Sequence, residues 1–253
     1  MKKFLCLFSA LTLMLASCSS DDNTSTEKPA QENVLLPKTE KYIYANHPED
    51  NTTVTYTYDG NKITTLTYDD GSKVVFTYTD NLITKAVYAE TEAGEIYTST
   101  TTFTYENNKL KSTLKVNSGT SSNKKKTYTY NANGTISTVT ILIDPETQEE
   151  TQDSSSVFTL DSNGNIIKAE FNDFSNTIEY DAKNNPFKSI AGFTSLLDSD
   201  VFDKDANSAN NITKIIEKSG DVIESTTIYE NTYDSDNYLI KSVNGNETYE
   251  YTY

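Results

Sequence analysis

The sequence contains no tryptophan and no arginine, and it has only one histidine and two cysteines in 253 residues. All 21 basic residues are therefore lysine, and 37 acidic residues bring the formal net charge to −16. An acidic surface repels phosphate backbones, and a chain without arginine lacks the bidentate fork that reads them. We therefore expect no nucleic acid among the partners of this protein.

Residues suited to catalysis or metal binding are equally sparse in the sequence. The one histidine, His47, lies in the turn-like stretch Asn46-His47-Pro48-Glu49-Asp50, which is typical of a solvated loop. No Ser-His-Asp or Cys-His set can be assembled around it, and too few cysteines remain for a thiolate zinc site. Acidic pairs such as Asp69-Asp70 sit in predicted turns, where aspartate stabilises the backbone. The sequence predicts no enzyme, no metal site and no cofactor, with a two-carboxylate hydrolase as the remaining alternative.

The first 17 residues have the form of a secretory signal peptide. Lys2 and Lys3 precede an apolar run over residues 4–15, which is too short to span a bilayer. The sequence that follows, Leu15-Ala16-Ser17-Cys18, resembles the lipobox of bacterial lipoproteins. This resemblance implies cleavage before Cys18, acylation of its thiol, and attachment to a membrane through the lipid. A plain signal peptide with Cys18 as a bystander is the alternative.

Residues 18–39 are predicted to form a lipidated flexible tether, because they have few apolar groups and no period. The acidic pair Asp21-Asp22 resembles the export signal that sends some lipoproteins to the outer face of the outer membrane. That resemblance implies a lipid-anchored protein facing the cell exterior, and a merely solvated tether is the alternative. Residues 40–253 are predicted to form a single domain.

One pattern recurs through residues 40–253: an alternating run that ends in tyrosine, a turn of Asp, Asn or Gly, and a strand that begins with Ile or Leu. Asn, Asp and Gly accept the positive φ that tight hairpin turns require. The pattern predicts antiparallel hairpins with tight turns at one end of a sheet and variable loops at the other. The residues that end the alternating runs, here called the anchor residues, are Tyr58, Tyr78, Tyr105, Tyr130, Leu160, Tyr180, Tyr233 and Tyr253.

Alternation along each predicted strand separates two faces. Val54, Tyr56 and Tyr58 share one face, with threonine on the other, and the same rule places Leu114 and Val116 opposite Lys115. The apolar side must be covered, and curling the sheet into a barrel covers it and removes the open edges. We therefore predict an all-β meander closed into a barrel or barrel-like sheet.

The run Lys124-Lys125-Lys126 is predicted to be a solvated loop.

The interval between Tyr180 and Tyr233 is longer than the others and indicates an insertion. It is predicted to contain one short helical segment near residues 193–210, which Ser195 and Asp198 could cap. Two roles for this insertion remain open: a structural loop, or a plug in one end of the barrel.

The hairpin rhythm resembles the YD repeats of Rhs and teneurin shells, although the spacing is irregular and arginine is missing. A closer resemblance is to a family of exported lipoproteins of unknown function with a porin-like β-fold, which shares the lipobox, the serial hairpins and a Tyr-Asp-x-Lys-x-Asn-Pro-Phe segment, here residues 180–187. The resemblance assigns no catalytic residues. Short threonine-rich strands favour a barrel in water over one in a bilayer.

The predicted function is that of a non-enzymatic surface protein that binds a glycan, a peptide or a small ligand. A structural or assembly lipoprotein that docks to other envelope proteins is the alternative. The sequence does not identify the residues that would bind the ligand.

Overall fold

The computed structural model describes residues 35–202 and 206–253. The predicted signal peptide, Cys18 and residues 19–34 of the predicted tether lie outside these residues. No helix in the described part of the chain is long and apolar enough to cross a membrane.

The described chain forms one antiparallel sheet of 17 strands, which confirms the predicted all-β meander. Successive strands pair with one another except at β14 and β15, and the first strand also pairs with the last, so the sheet curls into a nearly closed barrel. The strands are β1 Thr39–Tyr44, β2 Thr52–Asp59, β3 Lys62–Tyr68, β4 Lys73–Thr79, β5 Leu82–Glu92, β6 Glu95–Glu106, β7 Lys109–Asn117, β8 Asn123–Tyr130, β9 Ile136–Ile143, β10 Glu150–Leu160, β11 Ile166–Phe171, β12 Phe174–Tyr180, β13 Ile212–Ser219, β14 Val222–Ile228, β15 Glu230–Tyr233, β16 Leu239–Asn244 and β17 Glu247–Thr252.

The segments β14 and β15 are separated only by Tyr229 and continue the wall between two neighbours. β14 pairs with β13, whereas β15 pairs with β16, so the change of partner occurs at Tyr229. The only helical segments among the described residues are two 3-10 turns, Pro48–Asp50 and Thr194–Leu196. The second of these lies within the predicted helical insertion.

Tight turns follow the anchor residues and gather at one end of the barrel, which we call the turn end. Gly60 adopts φ of 61° in the β2–β3 turn, and Asn107 and Asn108 adopt 52° and 61° in the β6–β7 turn. These are the left-handed conformations that such hairpin turns need. The opposite end, which carries the other connections, is called the loop end.

A β-bulge at the anchor residue changes the facing of several strands. In the β6–β7 pair, Tyr105 lies opposite Leu110 but Thr104 lies opposite Ser112, so Lys111 is an extra residue. A bulge of this kind reverses the alternation beyond it. The prediction for β7 was therefore wrong: Thr113 and Lys115 face the interior, while Leu114 and Val116 lie on the outside and are 37% and 42% exposed. The β2 prediction is confirmed for Val54 and Tyr56, which are buried.

Hydroxyl groups of the anchor tyrosines tie neighbouring hairpins together at the turn end. The Tyr105 hydroxyl donates to the Ile83 carbonyl at 2.9 Å, and the Tyr253 hydroxyl donates to the Leu239 carbonyl at 2.7 Å. Each bond reaches the backbone just after the tight turn of the preceding hairpin. In the repeated pattern, the tyrosine hydroxyl of one hairpin thus bonds to the backbone of the Ile or Leu that follows the turn of another.

Residues 181–202 and 206–211, which join β12 to β13, form a plug inside the barrel. Phe187 and Phe193 are both 1% exposed, and the Phe187 ring meets Tyr56 and Tyr251 edge-on at centroid distances of 5.5 and 5.9 Å. A Cβ atom on Gly192 would lie 2.8 Å from the carbonyl oxygen of Asn81, so the plug backbone lies directly against the β4–β5 turn. Of the two roles open for the insertion, the structure shows the plug.

The predicted helix cap in this insertion was wrong. The 3-10 turn begins after Phe193 and has no side-chain cap. The Asp198 carboxylate instead contacts the barrel wall, where it accepts a hydrogen bond from the Tyr128 hydroxyl at 2.8 Å and pairs with the Lys126 ammonium group. Asp198 therefore joins the plug to β8.

Candidate functional site

The barrel interior remains hollow beside the plug, toward the loop end. Three adjoining cavities of about 400, 450 and 470 Å³ follow the wall from β3 to β13. The first and second share Thr101 and Lys115 in their lining, and the second and third share Lys126 and Thr140. We call this continuous space the lumen. Each cavity falls within the roughly 300–1,000 Å³ typical of small-molecule sites.

The middle cavity of about 450 Å³ is here called the lysine cavity, because Lys115 from β7 and Lys124 and Lys126 from β8 line it. Asp198 and Asp200 line it from the plug. The prediction of a solvated loop over Lys124-Lys125-Lys126 was wrong, since β8 begins at Asn123 and runs through all three residues.

Alternation along β8 explains which of these lysines enter the lumen. Tyr128 is buried against the interior, so Lys126 and Lys124 share its face and line the cavity, whereas Lys125 is on the opposite face. Lys124, nearest the loop end, remains exposed to solvent. The β7–β8 register has no bulge and places Lys115 directly opposite Lys124. The strands thus bring two inward-facing lysines together at one level of the wall.

The three lysines differ in their carboxylate partners. Lys126 forms a largely buried ion pair with Asp198, and its ammonium nitrogen lies 5.5 Å from the centroid of the Phe158 ring. Lys115 lies 3.9 Å from Asp200, whose side chain is 77% exposed, so this pair is weak. Lys124 has no ion-pair partner among the described residues. In the lysine cavity, Lys126 is therefore ion-paired, Lys115 is weakly paired, and Lys124 has no carboxylate partner among the described residues.

Tyr128 contributes a hydroxyl donor at the base of the lysine cavity. Burial raises the pKa of this phenol, and the negative charge of Asp198, which accepts its hydrogen bond, raises the pKa further. The hydroxyl therefore stays protonated and holds Asp198 in place. The remaining lining is polar and uncharged, and it includes Thr101, Thr113, Thr140 and Ser154.

Aromatic side chains line another part of the interior, next to β1, β2, β3 and β17. Tyr42, Tyr68 and Tyr249 border a cavity of about 220 Å³ next to Phe202. Beneath them, the Tyr56 hydroxyl donates to the buried Glu40 carboxylate at 2.7 Å. Burial, followed by the charge of Glu40, raises the pKa of Tyr56 well above its ordinary value.

The sequence candidates for chemistry lie apart from the lysine cavity, although Asp70 lines the adjoining cavity of about 400 Å³. His47 lies between β1 and β2 with its side chain 53% exposed, and its Nδ1 atom is 3.2 Å from Glu49. In the part of the chain that the structure describes, His47, Glu49 and Asp50 form the one group close enough to share a metal ion, and all three are exposed. Asp70 holds the β3–β4 turn by accepting a hydrogen bond from the Ser72 backbone at 2.7 Å.

The outer wall of the barrel carries charged and hydroxyl side chains. Lys168 pairs with Glu170 at 2.7 Å, and Lys214 of β13 pairs with Glu179 of β12 at 3.0 Å. Threonines occupy the outward positions of β2, and apolar residues such as Leu114 are scattered among the polar ones. Both members of each ion pair are partly exposed.

No family model matches the sequence, and no curated protein matches it. Among solved structures, the fold is similar to a porin-like protein from Bacteroides vulgatus ATCC 8482, with a TM-score of 0.53 and 10% identity over 87% of this chain and 98% of that chain. A porin-like protein from Bacteroides uniformis ATCC 8492 matches with a TM-score of 0.45 and 12% identity over 85% and 96%. At these identities the first likeness shows a shared fold, and the function must be argued from the lumen.

Proposed function

We propose that this chain is an outer-membrane lipoprotein that is anchored through Cys18 and captures a polar ligand in its barrel lumen without chemical turnover. The ligand is a glycan, a peptide or a small molecule. One observation carries the proposal: the plug leaves three adjoining cavities beside it toward the loop end, and the middle one is lined by polar side chains. Concave sites with a few placed polar groups are typical of ligand binding.

The outer wall supports a barrel that sits in water. A barrel strand in contact with lipid needs an apolar outer face, because charged groups there are destabilising. Lys168–Glu170 and Lys214–Glu179 instead place ion pairs on that face. Attachment through a lipid on Cys18 would then supply the membrane contact that the wall does not.

The plug supports capture rather than passage. It contacts the wall in two separate places, because Phe187 meets Tyr56 on β2 and Asp198 bonds to Tyr128 on β8. A ligand that enters the lumen therefore meets packed side chains at the turn end.

The acidic pair considered for hydrolysis stabilises backbone structure, since Asp69 bonds to Thr53 and Asp70 bonds to Ser72.

The alternative, docking to another envelope protein, rests on a separate observation. Several large apolar residues are exposed at or next to hairpin tips of the loop end: Ile96 is 71% exposed, Val222 62% and Phe174 57%. Exposed apolar groups at one rim are suited to protein contact. This rim would serve docking, whereas the lumen would serve capture.

The anchor is tested by Cys18→Ala in cells. The variant should move from the membrane fraction to the medium or periplasm, whereas Cys6→Ala, inside the predicted leader, should leave attachment unchanged. Retention of the Cys18→Ala protein on membranes would contradict the anchor.

Capture in the lumen is tested with the full Cys18→Ala chain on arrays of glycans and peptides. Thr101→Trp fills the lumen, and Thr102→Trp adds the same bulk on the outside of the same strand. Binding should be lost in the first variant and kept in the second, with unfolding midpoints recorded for both. A ligand bound equally by both variants, or blocked only by changes at Phe174 and Val222, would instead support docking at the rim.

A further inference from the structure

We infer that the lysine cavity is a site for an acidic sugar, whose carboxylate lies between Lys124 and Lys115. This inference rests on the proposed capture of a ligand in the lumen and names the chemical class of that ligand. It starts from a feature that costs stability. Lys115 and Lys124 are directly opposite one another on neighbouring strands and both face the interior. Like charges in that relation repel.

The described surroundings leave this repulsion only partly compensated. Among the described residues, the charged groups lining the lysine cavity are Lys115, Lys124 and Lys126 against Asp198 and Asp200, so their balance is 3 − 2 = +1. The whole chain, by contrast, has a formal net charge of −16. The Asp198 carboxylate is already engaged by Lys126 and the Tyr128 hydroxyl. An anion between Lys115 and Lys124 would supply the missing negative charge.

A comparison with the two adjoining cavities favours the lysine cavity as the binding place of the anion. The cavity of about 400 Å³ includes Asp70 in its lining, and the cavity of about 470 Å³ includes Glu217. In both, Asp70 or Glu217 adds a carboxylate that would repel a bound anion. Only the middle one of the three brings Lys115, Lys124 and Lys126 together among the described residues.

The uncharged lining indicates a ligand rich in hydroxyl groups. Thr101, Thr113, Thr140 and Ser154 both donate and accept hydrogen bonds, and Asn117 does the same through its amide. Among the described lining residues, Tyr128 is the sole aromatic one and no aliphatic side chain takes part. Such a surface matches a sugar better than a peptide with apolar side chains. Charge and lining together give a uronic acid or a similar sugar acid.

The experiment measures binding of a galacturonic acid trisaccharide and of its methyl ester to the full Cys18→Ala chain by titration calorimetry. The two probes share the same sugar units, and the ester lacks the negative charges and carries a methyl group on each carboxyl. The acid should bind at least about tenfold more tightly than the ester, because bonds to a charged acceptor are stronger than those to a neutral one. Its affinity should fall as salt is added, since salt screens the attraction between the carboxylate and the solvent-accessible Lys115 and Lys124.

Variants on β8 locate the carboxylate. Lys124→Met should weaken binding of the acid at least about tenfold and leave binding of the ester unchanged. Lys124→Arg should keep most of the affinity. The matched control is Lys125→Met, which removes the same charge one residue away on the outside of the barrel.

A second readout follows from the repulsion itself and needs no ligand. Lys124→Met should raise the melting temperature of the free protein, because it removes a like charge opposite Lys115, whereas Lys125→Met should not. A fall in melting temperature on Lys124→Met would contradict the repulsion on which the inference depends.

The outcomes separate the inference from the proposed function. Equal binding of acid and ester, both blocked by Thr101→Trp, would overturn the acidic sugar and leave capture in the lumen standing. Binding of the acid that survives both Lys124→Met and Thr101→Trp would place the anion elsewhere and overturn the site. If neither probe binds while another ligand is blocked by Thr101→Trp, the sugar class is wrong and the lumen is kept.

Discussion

The two ends of this barrel are made from the same strands but have opposite properties. At the turn end, the anchor tyrosines, the tight turns and the plug leave little free space, and Ile63 and Ile83 are 0% exposed. At the loop end, the wall surrounds hollow space and the strands reach different heights, as the six residues of β16 and the 12 of β6 illustrate. The buried side chains gather at the end where the tyrosine-turn pattern is regular. The cavities lie toward the end where the connections vary.

A single strand shows how this division works. In β8, Tyr128 at the turn side is buried and binds Asp198, whereas Lys124 near the other end of the same inward face has no ion-pair partner in the described structure. Changes at the turn end should therefore affect folding, and changes at the loop end should affect binding. The predictions below test this division, and they run from the largest expected effect to the smallest.

High pH should unfold the protein through the turn end. Burial raises the pKa of Tyr78 to about 12 and raises the pKa of Tyr58 and Tyr105 further, against about 10 for an unperturbed tyrosine. Because the folded pKa values are raised, their stabilising contribution is complete below about pH 10 and is lost as pH rises through the folded values. Circular dichroism and phenolate absorbance should therefore change together above about pH 10.

The control is the same titration in denaturant, where the tyrosines should ionise near their unperturbed pKa. A phenolate signal that is completed near pH 10 while the β-sheet signal persists would show that the anchor tyrosines are accessible, and would contradict the comparison.

The next largest effect is expected in the plug. Phe187→Ala should lower the free energy of unfolding by about 3–5 kcal/mol, because it leaves a cavity among Tyr56, Tyr251 and Phe193. Phe174→Ala, at the loop end where the ring is 57% exposed, should change it by less than about 0.5 kcal/mol. Denaturant unfolding measures both, and equal losses would show that the two ends are equally stabilising.

The smallest effect isolates one hydroxyl. Tyr105→Phe should destabilise the fold by about 1 kcal/mol, because the Ile83 carbonyl loses its bond to the phenol. At the anchor without a hydroxyl, Leu160→Tyr should be more stable than Leu160→Phe by a similar amount. Tyr97→Phe at the loop end is the control, since the Tyr97 hydroxyl makes only a long 3.4 Å contact with Glu95. No difference within either anchor pair would remove the hydroxyls from the account.

The sequence predicted the meander because its signals are local. Tyrosine-ended runs and turns with Gly60 or Asn107 specify strands and hairpins over a few residues. The sequence did not predict which side chains of β7 face the interior. Lys111 is a bulged residue only because of how β7 pairs with β6, and that pairing is not visible in the local sequence. The β8 error had a visible signal: alternation back from Tyr128 already places Lys126 and Lys124 on the inward face.

The plug and the lysine cavity depended on contacts that the sequence pattern does not contain. Asp198 meets Tyr128 across 70 residues of chain, and Phe187 meets Tyr56 across the barrel interior. The opposition of Lys115 and Lys124 follows from the length of the β7–β8 connection, which fixes the register. The irregular spacing of the repeat was enough to locate the insertion in the sequence. That the insertion folds into the barrel depends on the apolar interior that it fills.

The point at which the chain joins the barrel bears on orientation. Lys38 bonds to the backbones of Tyr56 and Thr252, and the Tyr58 hydroxyl donates to the Pro37 carbonyl, so the leading segment meets the wall at the plugged base. The described chain therefore enters the barrel at its plugged end. The lumen adjoins the opposite end, so its mouth is not obstructed by the segment that leads into the barrel.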